Sequence, residues 1–354
     1  MATGLCGCAQ QAQMIRPSAA QLQALEPLSV VEVIGQDKLA AQNTFTGTYV
    51  NVIPGPGVAI LPVAIGGALG MAIVNAAAES AAKRFAESHV QPLRAALQGF
   101  DARSALSDSL RQALAAQPAD FSSYTIATTV AASAAPHLLV QAEYAMTPDF
   151  SALQVIAKVS IPGSGGAHDK PIYQNVLVYQ SPRKVAAAKT AEDSKRLEAL
   201  ENQRYAALHV DADIDKANAE MDRRDPEVAH LREKIDHEQI EHRNRLAQAA
   251  APNWDADSRA SHLAQAWAAN NGEALKIALR ASGAEIAHML QLDLADQVVA
   301  GQVEKPRTVF SSGTREIDYL SGGRMISLAP EDGDASLVRP SPVVPVPINA
   351  PASR

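Results

Sequence analysis

The run His137-Leu138-Leu139-Val140-Gln141-Ala142-Glu143-Tyr144-Ala145-Met146, followed by Thr147-Pro148-Asp149-Phe150-Ser151 and then Leu153-Gln154-Val155-Ile156-Ala157-Lys158-Val159-Ser160-Ile161, decides the fold. In its second half Leu153, Val155, Ala157, Val159 and Ile161 alternate with Gln154, Lys158 and Ser160, the period of a half-buried strand. Pro148 and Asp149 mark a turn, so the two halves are expected to pair as an antiparallel hairpin. Asp149 is read as turn chemistry. Working outward, 124–130 and 172–180 read as flanking strands, and 28–34 as a first strand carrying Val30, Val31 and Val33. Thr44 to Val52 is rich in β-branched and aromatic residues and reads as a strand, broken by Pro54-Gly55-Pro56-Gly57. A helix is expected from about Ile65 to Gln98, broken or kinked at Pro92. A second helix, capped by Asp101 or Ser104, carries Leu106, Leu110 and Leu114. The fold class is α+β, an antiparallel β-meander packed on helices.

Downstream the character changes. Among the 68 residues 183–250, 13 are basic and 15 acidic, with Ala and Leu filling most of the rest. This predicts a long charged helical hairpin, one helix ending near Met221 and the next starting at Pro226 after the Asp225 cap. Leu197, Leu200, Leu208, Leu231 and Ile235 are too sparse for a firm coiled-coil heptad. A C-terminal helical pair follows. Asp257 or Ser258 caps the first helix, with Leu263 and Trp267 on one face, and Asn271 starts the second, with Leu275, Leu279, Ile286, Met289 and Leu290. Arg315–Leu320 and Arg324–Leu328, joined at Ser321-Gly322-Gly323, read as a β-hairpin.

The 354 residues are 47% hydrophobic and 19% charged, enough to build a core and too apolar for wholesale disorder. Net charge is −7 and the longest basic runs are pairs such as Arg183-Lys184 and Arg223-Arg224, so no nucleic-acid partner is expected. The two cysteines, Cys6 and Cys8, stand too far N-terminal to staple the body, and are too few for a cysteine-built metal site.

The search for chemistry assigns no catalytic, cofactor-binding or metal-binding residue. His237 and His242 are five apart, about 140° around a helix, and so miss the one-face geometry of a zinc helix. His230 and His237 share a face near Glu233 and Glu241, read as a solvated charged surface. Ser80 and Lys83 stand three apart on a helix without companion motifs. Asp211, Asp213 and Asp215 alternate as in a calcium loop, but Lys216 replaces its glycine and Asp222 its terminal Glu. Trp254 and Trp267 are read as anchors of the helical pair. Two alternatives to a binding role stand beside these readings. One is an envelope hydrolase assembled from scattered groups such as His137, Glu143 or Tyr144. The other is a membrane-inserting or oligomeric assembly using Val58–Val74, 17 residues without a polar side chain.

Leu5-Cys6-Gly7-Cys8 resembles the lipobox of bacterial lipoproteins: an aliphatic residue, two small positions and a modified cysteine. The resemblance implies diacylglyceryl transfer to the Cys8 thiol, cleavage before Cys8 and acylation of the new amino group. A signal peptide has a basic n-region and a longer apolar stretch, so the true start is expected upstream of Met1. Ala9 to Gln23 is rich in Ala and Gln, like a tether. Ala9 after the cysteine resembles lipoproteins sorted to an outer membrane. Gly66-Gly67-Ala68-Leu69-Gly70, Tyr144 to Ser151, and the helix from Glu273 to Leu294 are similar to a group of uncharacterised bacterial envelope lipoproteins. The expected division is a signal remnant and lipidated tether at 1–27, an α+β domain at 28–182 and a charged helical arm at 183–250. A helical pair and β-hairpin follow at 251–337, packing back on the α+β domain, and a Pro-rich disordered tail at 338–354. The expected role is non-catalytic binding or scaffolding on the periplasmic side of the outer membrane. The membrane partner is reached through Cys8 and a protein partner through helices 185–248.

Overall fold

The computed structural model describes residues 14–17, 20–21, 28–41, 83–116, 121–127, 137–163, 170–219, 226–295, 307–320 and 323–330. Cys8, the strand expected at 44–52, the apolar run 58–74, the helix expected before residue 83, Ser80 and the Pro-rich tail lie outside them. The chain divides into two compact units, 186–262 and the remainder.

The larger unit is built on the hairpin of β4 (His137–Met146) and β5 (Leu153–Ile161), paired antiparallel from Leu139↔Ser160 to Met146↔Leu153. β6 (Tyr173–Gln180) adds to β5 antiparallel, as expected of the meander. β5 is more buried than its alternation implies: only Lys158 is exposed, and Gln154 is buried with its Nε2 donating to Gln180 Oε1 at 2.8 Å. A buried amide is stable there because it is paired with another.

The expectation of an antiparallel meander needs correction at both flanks. β1 (Leu28–Val33) lies between β3 (Phe121–Ala127) and β4 and is parallel to both. Two-residue β2 (Ala40–Ala41) also joins β4 in parallel. On the other flank β9 (Met325–Leu328) is parallel to β6, with β8 (Glu316–Tyr319) and β7 (Arg307–Ser311) continuing antiparallel beyond it. The result is one mixed nine-stranded sheet in the order β3-β1-β4-β5-β6-β9-β8-β7, with β2 beside β4, and an α+β fold. Parallel neighbours need long crossovers. Helices α1 (83–96) and α2 (Ala102–Ala115) lie in the connection from β1 to β3.

Pro92 does not break α1, which runs through it to residue 96. α2 starts where expected: Asp101 is its N-cap, accepting from Ser104 N at 2.9 Å, and Leu106, Leu110 and Leu114 are buried. Helix α6 (Ala256–Ala295) changes direction at Ala269–Gly272, where Asn270, Asn271 and Gly272 all take positive φ. Its second half crosses α2 at very close range. A Cβ on Gly283 would stand 2.5 Å from Leu110 N and 2.6 Å from Leu106 O. Ala284 N donates to Ser109 Oγ across the same contact, at 3.1 Å.

The Thr147–Ser151 turn holds Phe150 fully buried at φ 60, a conformation that costs a non-glycine residue on the order of 1 kcal/mol. Asp149 Oδ1 accepts from Thr147 Oγ1 at 2.7 Å, Ser151 N at 3.0 Å and Ser151 Oγ at 2.8 Å, confirming it as turn chemistry. Trp267 Nε1 donates to the Phe150 carbonyl at 3.0 Å, so Trp267 anchors α6 on this turn.

Replacing Gly283 with Ala forces a methyl into backbone that cannot retreat. Urea unfolding of Gly283→Ala is expected to show a loss of about 1–3 kcal/mol. A loss below about 0.5 kcal/mol would contradict the close crossing.

Candidate functional site

The smaller unit is the charged arm, an antiparallel pairing of α3 (Ala191–Ala207) and α4 (Val210–Ala219) against α5 (Pro226–Ala250). Thr190 and Asp193 form a reciprocal capping box at the start of α3. At the same end Lys189 Nζ donates to the carbonyls of Gln248, Ala249 and Ala251 at 2.8–3.0 Å, capping α5 where its dipole favours a cation. Trp254 Nε1 donates to Ala187 O at 2.7 Å and its ring packs on His262, so Trp254 anchors the hairpin root. His209 at φ 52 separates α3 from α4, a break the sequence reading did not place. Beyond it Val210, Ala217 and Ile235 form a small apolar cluster with Tyr205, Leu208, Ile214 and Leu231. The cap of α6 is Asp255, not Asp257 or Ser258: its Oδ1 accepts from Ser258 N at 2.9 Å.

The two helices are stitched by one carboxylate. Glu201 is buried and accepts from Arg204 Nε and Nη2 at 2.9 Å each, a bidentate pairing, and its Oε1 lies 2.9 Å from His242 Nδ1 of α5. Arg204 reaches on to Glu238 at 3.3 Å, Arg245 stands 4.0 Å from Glu201, and His242 stacks on Tyr205 with centroids 4.0 Å apart. The Arg204 guanidinium holds the Glu201 carboxyl below its ordinary value against the opposing effect of burial, with His242 adding to the lowering. Arg204 is held above its ordinary value by the same bond.

Beside this network a groove of about 280 Å³ opens along the hairpin, lined by Leu197, Leu200, Glu201, Arg204, Arg245 and Ala249, among others. Leu200 is 55% exposed there. The lining is mixed: Leu197, Leu200 and Ala249 supply its apolar part, and Gln248 and Asp255 stand with the charged groups. Glu201 stays ionised at neutral pH and so does not serve as a general acid there.

The other sequence candidates are not brought together. Glu143 and Tyr144 point to opposite faces of β4: Glu143 is exposed 4.0 Å from Lys158, while Tyr144 is buried and donates its N–H to Gln36 Oε1 at 3.1 Å. His137 is buried at the other end of the same strand. His237 pairs with Glu241 at 3.6 Å and Asp213 with Lys234 at 2.9 Å. Among the described residues no cluster of His, Cys, Asp and Glu could hold a metal, and no helix is long and apolar enough to cross a membrane. The sequence reading passed over Glu201, Arg204 and His242. The signal was present: Glu201 and Arg204 stand three apart, and Glu238, His242 and Arg245 follow at four and three, one face of α5. No protein-family model, curated protein or solved structure matches this chain.

Because the carboxyl of Glu201 is lowered on folding, its contribution is complete above the ordinary value of 4.5 and is lost as pH falls below it. Thermal unfolding of the arm followed by circular dichroism is expected to lose stability below about pH 4.5 in the wild type. Glu201→Gln is expected to flatten that dependence, and an unchanged acid limb would contradict the role of Glu201.

Proposed function

We propose that this chain is a lipid-anchored protein of the bacterial cell envelope, an outer-membrane lipoprotein facing the periplasm. It acts by non-catalytic binding, offering its charged helical hairpin, 185–248, to a protein partner. The observation that carries the location is the Leu5-Cys6-Gly7-Cys8 motif, with Cys8 as the lipidated residue and an Ala- and Gln-rich stretch after it. The binding role is supported by the groove beside Glu201, where Leu200 remains exposed although neighbouring charges are internally paired. A helix pair held by its own ion pairs can present an exposed apolar side chain such as Leu200 without relying on a partner to neutralise the charges around it.

Expression of the protein from its own genomic locus in the bacterium that encodes it, with radiolabelled palmitate, tests both halves. Label is expected on the wild type and absent from Cys8→Ser. A photo-crosslinking side chain at position 200 is expected to give one discrete protein adduct, reduced several-fold by the additional substitution Ala249→Arg in the groove. Label persisting in Cys8→Ser would overturn the anchor. Adducts unaffected by Ala249→Arg, with the arm still folded, would overturn the groove.

A further inference from the structure

The described chain begins with a strap. Ile15 pairs across to Gln174 by two backbone hydrogen bonds of 2.9 Å, at the start of β6. Arg16 bonds Asp293 and Tyr319, with its guanidinium over the Tyr319 ring at 5.2 Å. Met14 is buried against Gly323, whose φ of 85 no ordinary side chain adopts easily, and where a Cβ would overlap the Met14 side chain. Backbone pairing, a buried ion pair and an apolar plug thus fix three consecutive residues to one end of the sheet.

Five residues lie between Cys8 and Met14, six steps of chain that span at most about 20 Å. The chain leaves this unit for the arm at the opposite end of β6, after Gln180 and Ser181. The eight residues of β6 put about 25 Å between the two ends. The return crossing, at 262–263, leads within one helical turn to Trp267 on the Phe150 turn, also at that far end. At the strap end Lys170 and Arg307 are exposed, while the acidic side chains described there, Asp293 and Asp318, are buried.

We infer that the strap end of the sheet is a lipid-facing surface. The Arg16–Asp293 latch holds the body within about 20 Å of the bilayer, with the exit points of the arm on the membrane-distal side. This rests on the reading of Cys8 as the lipid-bearing residue. Exposed Lys170 and Arg307 suit a surface of anionic headgroups, although the chain as a whole is acidic. Without the latch the first strand to hold the chain is β1, which starts 20 residues after Cys8, and the reach of the tether grows roughly three-fold.

The test uses the full chain bearing Cys6→Ser, with Cys8 coupled chemically to a maleimide phospholipid in phosphatidylethanolamine–phosphatidylglycerol vesicles. A donor dye sits on an unnatural azide side chain at position 170 or 185, and an acceptor dye on the headgroups. Transfer is expected to be at least two-fold more efficient from 170 than from 185. Arg16→Ala, and independently Gly323→Ala, are expected to reduce that contrast by half or more with the far-ultraviolet spectrum unchanged. Equal transfer from both positions, or a contrast indifferent to both substitutions, would overturn the inference. Mass spectrometry of the protein purified from bacterial membranes reads Cys8 separately. A diacylglyceryl group there supports the orientation in cells. Its absence overturns the lipoprotein reading, and this orientation with it, even if the vesicle geometry is as expected.

Discussion

A single buried carboxylate conditions the assembly of the larger unit. Asp293, on α6, accepts from Tyr173 Oη at 2.6 Å, Asn175 Nδ2 at 2.7 Å and Tyr319 Oη at 2.8 Å, and from Arg16. Its side chain is wholly excluded from solvent, and that of Arg16 is 8% exposed. A lone carboxylate in such a place would cost several kcal/mol. The donors come from three segments: the strap, β6 and β8. Without the strap the carboxylate loses its counter-ion, and without β6 or β8 it loses neutral hydrogen-bond donors. Burial and the nearby carboxylate push both tyrosine hydroxyls above their ordinary range, so they remain donors across the accessible pH range. The same node links both ends of the described chain to the middle of the sheet.

The arm obeys a different rule. Its central carboxylate, Glu201, is also satisfied by arginine and histidine, but the network lies along an open groove rather than inside a core. Helices with so little apolar surface gain stability from caps and charge pairs, each contributing modestly. That leaves Leu200 beside them exposed.

What could be read from the sequence follows what each signal encodes. The β4–β5 hairpin was legible nearly residue by residue because period-two alternation reports which face a side chain takes, and Pro148 and Asp149 report the turn. Strand direction was not legible, because alternation is the same in parallel and antiparallel pairing. So β1 against β4, and β9 against β6, came out opposite to the expected meander. The Asp101 cap was local and was read correctly, whereas the cap at Asp255 was placed two or three residues late, at Asp257 or Ser258, among neighbouring cap-formers. The Asp293 node was invisible: Arg16 and Tyr319 are 303 positions apart, and no spacing rule links them. The groove was equally hidden, since its existence depends on the separation of two helices and not on the pattern of either.

Asp293 makes the strap, β6 and the C-terminal strands one cooperative body, in a compact unit distinct from the arm. Hydrogen–deuterium exchange of Asp293→Ala against wild type tests it most directly. Faster exchange, by ten-fold or more, is expected together at 14–16, 173–180, 316–319 and 325–328, with the arm at 191–250 unchanged. Unaltered protection of β6 and β8 in the variant, or loss of protection confined to the immediate neighbours of residue 293, would contradict it.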